Sequence, residues 1–327
     1  MNELQTLIVS GKPLFITVDG FRQAMLTAFP LDGKVKEQST TKTDFTKAEM
    51  VDYLKSHTWY QLETHIALLK LQKVMAQDND TITLTDEFDD EQLPDNSIAY
   101  HRIWGTIMAN SYCWFSSKQL EADLKAAEAN PQISCHFLHI NSPGGEAWYL
   151  DRLSETLRAC QKPILTFYEQ MCCSAGYYIG CHGNRIYALT DNDYVGCIGT
   201  MCSFYDFEGY FAKLGIKRVE AKATNSDLKN KTFDDLRHGK DDKYVHDILN
   251  PLNSQFLAEV RSQRGKLAEL SEDEPVMRGE TFYTKEALEL GLIDGSRTMA
   301  EAIAEAVTMG REYTDAANLK TAIYNIV

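Results

Sequence analysis

The chain has 327 residues, of which 44% are hydrophobic and 24% charged, and its formal net charge is −14. That balance describes a globular protein with room for a sizeable core, in one large domain or two smaller ones, and not a short scaffold stapled by disulfides. The acidic excess, with no basic cluster to offset it, excludes the phosphate-facing surface of a nucleic-acid binder.

The N-terminal residues MNELQTLIVSGKPLFITVDG show neither a cationic n-region nor a long apolar h-region. No run in the chain approaches the ~18 to 20 apolar residues that span a bilayer, so a cytoplasmic protein is expected. The cysteines, Cys113, Cys135, Cys160, Cys172, Cys173, Cys181, Cys197 and Cys202, stand in apolar segments without CxxC spacing. They read as small, reduced core residues. His182 beside Cys181 is the one hint of a zinc ligand, and neither a metal nor an organic cofactor is expected.

Thr46 and Glu49 stand in capping-box spacing ahead of Met50, Leu54, Leu62, Ile66, Leu69 and Val74, which predicts a long amphipathic helix from Thr46 to about Ala76. Its apolar stripe needs a partner surface, so residues 1–95 are read as a largely helical region that supplies contacts in a homo-oligomer. The acidic, proline-containing DEFDDEQLPDN then breaks the pattern. A second domain is expected over 96–310, with a C-terminal tail at 311–327.

Beyond the break, strand and helix alternate. IAYHRIWGTIM reads as a strand, SSKQLEADLKAAEAN as a helix, CHFLHINS as a buried strand and EAWYLDRLSETLRACQ as a second helix. PILTFYEQ, the short helix CSAGYYIGCHG and the two strand segments of NRIYALTDNDYVGCIG follow. Repeated β-α units of this kind predict an α/β fold with a mostly parallel sheet covered by helices. NPLNSQFLAEVRSQRG predicts a later helix with Asn250 as cap, Pro251 in its first turn and Gly265 at its end.

Three turns in this alternation carry chemistry. HINSPGGEAW ends a strand on Ser142, Pro143, Gly144 and Gly145, and the next strand ends at CCSAGYY with Ser174 on the turn. Successive parallel strands end on the same side of a sheet, so the two turns are expected at one edge, where open α/β folds place their sites. A serine hydroxyl attacking a carbonyl needs donors for the developing oxyanion, and the N–H groups of Gly145 and Ala175 are the candidates. At the third turn, DNDYVGCIGTM, Gly196, Ile198 and Gly199, together with Gly144 of the first, would let a bound peptide approach the backbone; as bends or bulges Gly196 and Gly199 would be purely structural.

The order INSPGG (140–145), CSAGYYIG (173–180), VGCIGTM (195–201) and RGETFYTKEALELGLID (278–294) resembles the signal peptide peptidase A (SppA) family over residues 98–304. The resemblance implies a ClpP/crotonase-type fold and a serine-lysine dyad that cuts peptides without ATP. The family usually has Ser-Gly-Gly-Tyr at the nucleophile; Ser-Ala-Gly-Tyr here keeps the backbone donor. It implies Ser174 as nucleophile and, downstream of the segment KLGIKRVEAKA, Lys229 as base, with Lys222 and Lys231 as alternatives. His182 lies about two helical turns from Ser174 and is read as structural. The family includes soluble head-maturation proteases of tailed phages, and that role, with capsid or scaffold proteins as partners and a phage prohead as an alternative location, is the first expectation. A signal-peptide or general peptide-degrading homologue, an inactive scaffold of the same fold, and a crotonase-like acyl-CoA enzyme are the rivals.

Overall fold

The computed structural model describes residues 14–16, 67–68, 71 and 82–324, with the exception of 113. The long helix expected from Thr46 lies outside the described residues except at Ala67, Leu68 and Leu71, which are helical. Leu68 is buried.

The centre is a mixed α/β fold around a largely parallel sheet, as the alternation predicted. Its strands are β2 (Leu84–Thr85), β3 (Ser97–Trp104), β4 (Ile133–Ser142), β6 (Ile164–Cys173), β7 (Arg185–Ala188), β8 (Tyr194–Gly196), β9 (Thr281–Tyr283) and β10 (Gly295–Ser296). They run in the order β10-β7-β6-β4-β3-β2, and only the β8–β9 pair is antiparallel. Two further strands, β1 (Leu14–Ile16) and β5 (Gly144–Glu146), form a separate antiparallel pair.

The alternation of side chains along β4 explains its burial on both faces. Cys135 and Phe137 join Tyr100, Leu165 and Phe167 in one core, while Leu138 and Ile140 join Ile103, Tyr168 and Ile179 in the other. Helices α1 (Ser117–Ala129), α2 (Leu150–Ala159) and α3 (Ala175–Gly180) line the second core. The last helix, α8 (Met299–Tyr324), closes the first through Ala302, Ile303 and Ala306 and runs unbroken past residue 310.

Between β8 and β9 the chain changes character. Helices α4 (Glu208–Lys213) and α5 (Lys231–Arg237) belong to an arm in which no residue from 201 to 240 is buried. It leads into α6 (Asn250–Gln263), which packs Phe256 and Val260 into the core. Asn250 does not cap α6: a π-helical turn, Val245–Leu249, feeds directly into it, and Asn250 itself has helical φ and ψ of −61° and −44°. Cap chemistry was misread there because the helix begins upstream. Pro251, which has no N–H to donate, comes just after this π-helical turn. Helix α7 (Thr284–Leu290) follows β9.

Candidate active site

Strand β6 changes partners along its length. Its first half, Leu165 to Tyr168, pairs with β7, and its last residues, Met171 to Cys173, pair with β8. Gln170, at φ 62°, marks the switch, and its N–H is held by Asp193 Oδ1 at 3.0 Å. On the other side Ser142, the last residue of β4, stands opposite Cys172. The three turns singled out in the sequence therefore meet around the end of β6.

Ser174 is the residue on which they converge. It occupies φ 54° and ψ −118°, a region that an L-residue enters at a cost of about 1–3 kcal/mol. Two backbone bonds hold it there: its N–H donates to the Gly196 carbonyl at 2.8 Å, and its carbonyl accepts from Tyr178 N–H at 2.8 Å to start α3. The hydroxyl is fully buried and makes no hydrogen bond of ordinary geometry among the described residues. Strain and a buried hydroxyl that lacks a well-formed hydrogen bond both oppose stability, so their combination points to a function.

The surrounding thiols do not compete for that role. Burial pushes Cys172 and Cys173 far up, and pushes Cys197 up to about 11 although the nearby Ser174 hydroxyl draws it down. At neutral pH none is a thiolate, the form in which cysteine attacks. Cys197, at φ 53° directly after Gly196, was not assigned to the site from the sequence. Its position one residue beyond the paired Gly196 was the available signal.

Gly145 sits where no other residue fits. A Cβ there would lie 2.0 Å from the Ile107 carbonyl oxygen and 2.6 Å from its nitrogen. The cause is a backbone clasp on one edge of β5, with Ile107 N–H donating to Gly144 O at 3.0 Å and Glu146 N–H donating to Ile107 O at 2.8 Å. Gly144, at φ 104°, donates its N–H to Ser142 Oγ at 3.1 Å, and that hydroxyl donates to Gly105 O at 2.6 Å. Ala175 opens α3, so its N–H has no acceptor within the helix. Gly176 packs its Cα face against Ser142, which brings the α3 start and the SPGG turn together.

At the third turn Gly196 has φ 113°, and a Cβ would meet Glu280 O at 2.8 Å. Ile198 is buried. Gly199 and Thr200 border a cavity of about 330 Å³ lined also by Asn253, Leu257 and Met277. Asn253 Oδ1 accepts from Thr200 N–H at 3.2 Å.

The candidate bases stand on the 201–240 arm. Lys222 is bound to Glu220 at 3.1 Å and to Asp234 at 3.5 Å, and the Glu220 carboxylate holds its ammonium above the ordinary range. Lys231 is paired with Asp235 at 2.7 Å. Lys229 is exposed and has no ion pair among the described residues; its backbone N–H bonds Ser226 O at 3.0 Å. No hydrogen bond joins any of these three amines to Ser174. His182 has both ring nitrogens engaged, Nδ1 with Ile179 O at 3.2 Å and Nε2 with Glu259 Oε1 at 2.9 Å, which ties the end of α3 to α6.

Residues 156–311 match the family described as peptidase family S49. A 263-residue stretch is 26% identical to "Protease 4" of Haemophilus influenzae, covering 76% of this chain and 42% of that protein. A 206-residue stretch is 22% identical to "Putative signal peptide peptidase SppA" of Enterococcus faecium, covering 62% of this chain and 58% of that one. A third, of 180 residues, is 28% identical to a "Na(+)/H(+) antiporter NhaA" of Brucella melitensis biotype 1, but covers 53% of this chain and only 23% of that protein. The chain thus spans about half the length of the two named peptidases it matches. Among the described residues no helix is long and apolar enough to cross a membrane.

Proposed function

Because the chain belongs to peptidase family S49, a family of serine-type peptidases, we propose that it is an ATP-independent serine endopeptidase of ClpP/crotonase type, with Ser174 as its nucleophile. The observation that carries the reading is the Ser174 turn: a strained residue, its buried hydroxyl without a hydrogen bond of ordinary geometry among the described residues, where β4, β6 and β8 end together. An inactive scaffold would have no use for that strain. A crotonase-like enzyme acting on an acyl-CoA would have no use for a hydroxyl on this turn.

In the proposed reaction Ser174 Oγ attacks the scissile carbonyl, and the oxyanion is received by the N–H groups of Gly145 and Ala175. The substrate backbone runs past Gly144, Gly196, Ile198 and Gly199. Lys229 takes the hydroxyl proton and returns it to the leaving amine. Of the three lysines it is the one without a carboxylate partner among the described residues, whereas Lys222 and Lys231 are paired. A lysine base must be kept as the neutral amine, which requires apolar surroundings. On the same arm Tyr205, Tyr210, Phe211, Leu214, Ile216, Val219 and Leu228 are exposed. A second copy of the chain covering these side chains would supply those surroundings, so the active form is proposed to be a homo-oligomer. No metal or organic cofactor enters this scheme.

The names of the relatives, a protease and a putative signal peptide peptidase, support degradation of peptides ahead of maturation of a phage capsid. The test is covalent labelling of the full chain with a fluorophosphonate, read by peptide mass mapping together with cleavage of an unstructured peptide library. Labelling at Ser174, with cleavage falling about ten-thousandfold or more in Ser174→Ala, is expected. Cleavage that persists in Ser174→Ala overturns the assignment.

A further inference from the structure

Strand β5 has two edges, and the structure fills both. On one edge Ile107 binds Gly144 O and Glu146 N–H. Peptide groups alternate sides along a strand, so the N–H and carbonyl of Gly145 must turn toward the other edge. That edge is taken by β1, antiparallel, with Leu14 opposite Glu146, Phe15 opposite Gly145 and Ile16 opposite Gly144. Phe15 therefore stands at the hydrogen-bonding position of the ladder, facing the N–H proposed above to receive the oxyanion. An extended peptide entering a protease site adds itself to such an edge as a strand. β5 is three residues long and β1 opposes all three, which leaves an incoming peptide no free backbone on this edge.

We propose that Leu14–Ile16 is an intrasteric strand, a segment of the chain itself that occupies the substrate edge of β5 and must leave it before a peptide can be cut. The inference rests on the peptidase reading of Ser174 and Gly145. Its occupant is covalently attached, so it competes at a high effective concentration that a free peptide has to exceed. Anything that draws residues 14–16 away, such as assembly with other copies or binding of a partner to the N-terminal region, would switch the site on.

Proline substitution separates this device from a general structural role. Phe15→Pro removes the N–H that faces Gly145, whereas the Ile16 N–H points away from β5, so Ile16→Pro removes no ladder bond. The full-length wild type and both variants are compared by amide hydrogen exchange at Gly145 and by the rate of fluorophosphonate labelling at Ser174. The wild type is expected to protect the Gly145 amide and to label slowly. In Phe15→Pro the amide exchanges faster and labelling rises about fivefold or more, the effect of one lost ladder bond on the closed population. Ile16→Pro stays close to wild type in both readouts. Equal labelling of wild type and Phe15→Pro overturns the inference and leaves the peptidase reading intact, as does free exchange of the Gly145 amide in the wild type. Absence of Ser174 labelling in all three proteins overturns the peptidase reading, and the inference falls with it.

Discussion

The Ser174 turn and the 201–240 arm are physical opposites within one chain. Around Ser174 every backbone group that fixes the residue is bonded to a neighbouring strand or helix, and Ala175, Tyr177 and Ile179 behind it are fully buried. Along the arm no residue is buried, and Val219 and Leu228 are 91% and 68% exposed. Aromatic side chains there, among them Phe204, Phe207, Phe211 and Phe233, line an open hollow of about 800 Å³ in place of a core. A nucleophile can be held ready by the fold of one chain, because strain at one residue is borne by a sheet packed on both faces. The proposed base cannot be readied that way while its surroundings remain open to water.

The comparison breaks first at the lysines. Lys229→Ala is expected to lower peptide cleavage about a thousandfold or more, with the melting temperature unchanged because the residue is exposed. Lys222→Ala and Lys231→Ala, which remove exposed ion pairs with Glu220 and Asp235, should cost little in rate or stability. The measurement is steady-state cleavage alongside differential scanning calorimetry. Normal cleavage by Lys229→Ala with a dead Lys222→Ala or Lys231→Ala would move the base along the arm. Normal cleavage by all three would remove the dyad.

Glycine substitution at the oxyanion position probes the rigid side. Gly145→Ala places a Cβ 2.0 Å from Ile107 O, and the neighbour is backbone, which cannot rotate away. A loss of about 3 kcal/mol of stability is expected, with cleavage down about a hundredfold as the N–H is displaced. Gly199→Ala, whose Cβ would meet only ordinary contacts at 3.7 Å, should leave stability unchanged. If both variants melt together, the clasp on β5 is not what requires glycine.

What the sequence revealed follows the same division. The alternating strands and the glycine-marked turns were legible because a buried parallel sheet imposes a period on its residues, and β3, β4 and β6 fall where the pattern placed them. The meeting of SPGG, CSAG and VGCIG was legible because parallel strands end on one side. What was hidden depended on contacts between distant segments: Ile107 pressed on Gly145, Cys197 beside Ser174, and residues 14–16 laid on β5. PLFIT gives an apolar strand signal but nothing to say which edge it joins. Cap chemistry misplaced Asn250 because a π-turn continues the helix upstream. The arm showed its lysines but not their partners, since an exposed ion pair leaves no periodic mark.

A third test concerns the buried cluster behind the turn. Glu259 accepts from His182 and from Arg158, and against burial, which raises it, these hydrogen bonds bring its carboxyl down to about 2. A carboxylate with a depressed folded pKa contributes stability above its ordinary value of 4.5, and that contribution is lost as pH falls toward about 2. Glu259→Gln should therefore be less stable than wild type by about 2 kcal/mol at neutral pH, and the gap should close between about pH 4.5 and 2. Thermal melts of both proteins across that range measure it. A gap that does not depend on pH would mean that Glu259 acts by shape alone. Cleavage at neutral pH should change little, because His182 and Glu259 brace α3 from its far end.

The smallest effect separates strain from chemistry at Ser174 itself. Wild-type Ser174 combines two costs, a backbone at φ 54° and ψ −118° and a buried hydroxyl that makes no hydrogen bond of ordinary geometry among the described residues. Ser174→Ala removes the second and keeps the first, since a Cβ is still forced into a glycine region. Ser174→Gly removes both, set against the larger backbone entropy glycine loses on folding. Both variants are inactive if the hydroxyl is the nucleophile, and both should be more stable than wild type, glycine by about 1 kcal/mol and alanine by less. Calorimetry on the three proteins gives the order. An order of glycine above alanine above wild type shows that the turn holds its strain for the sake of the hydroxyl's position. A wild type more stable than both variants would mean that Ser174 is bonded in solution and that the turn is built for packing.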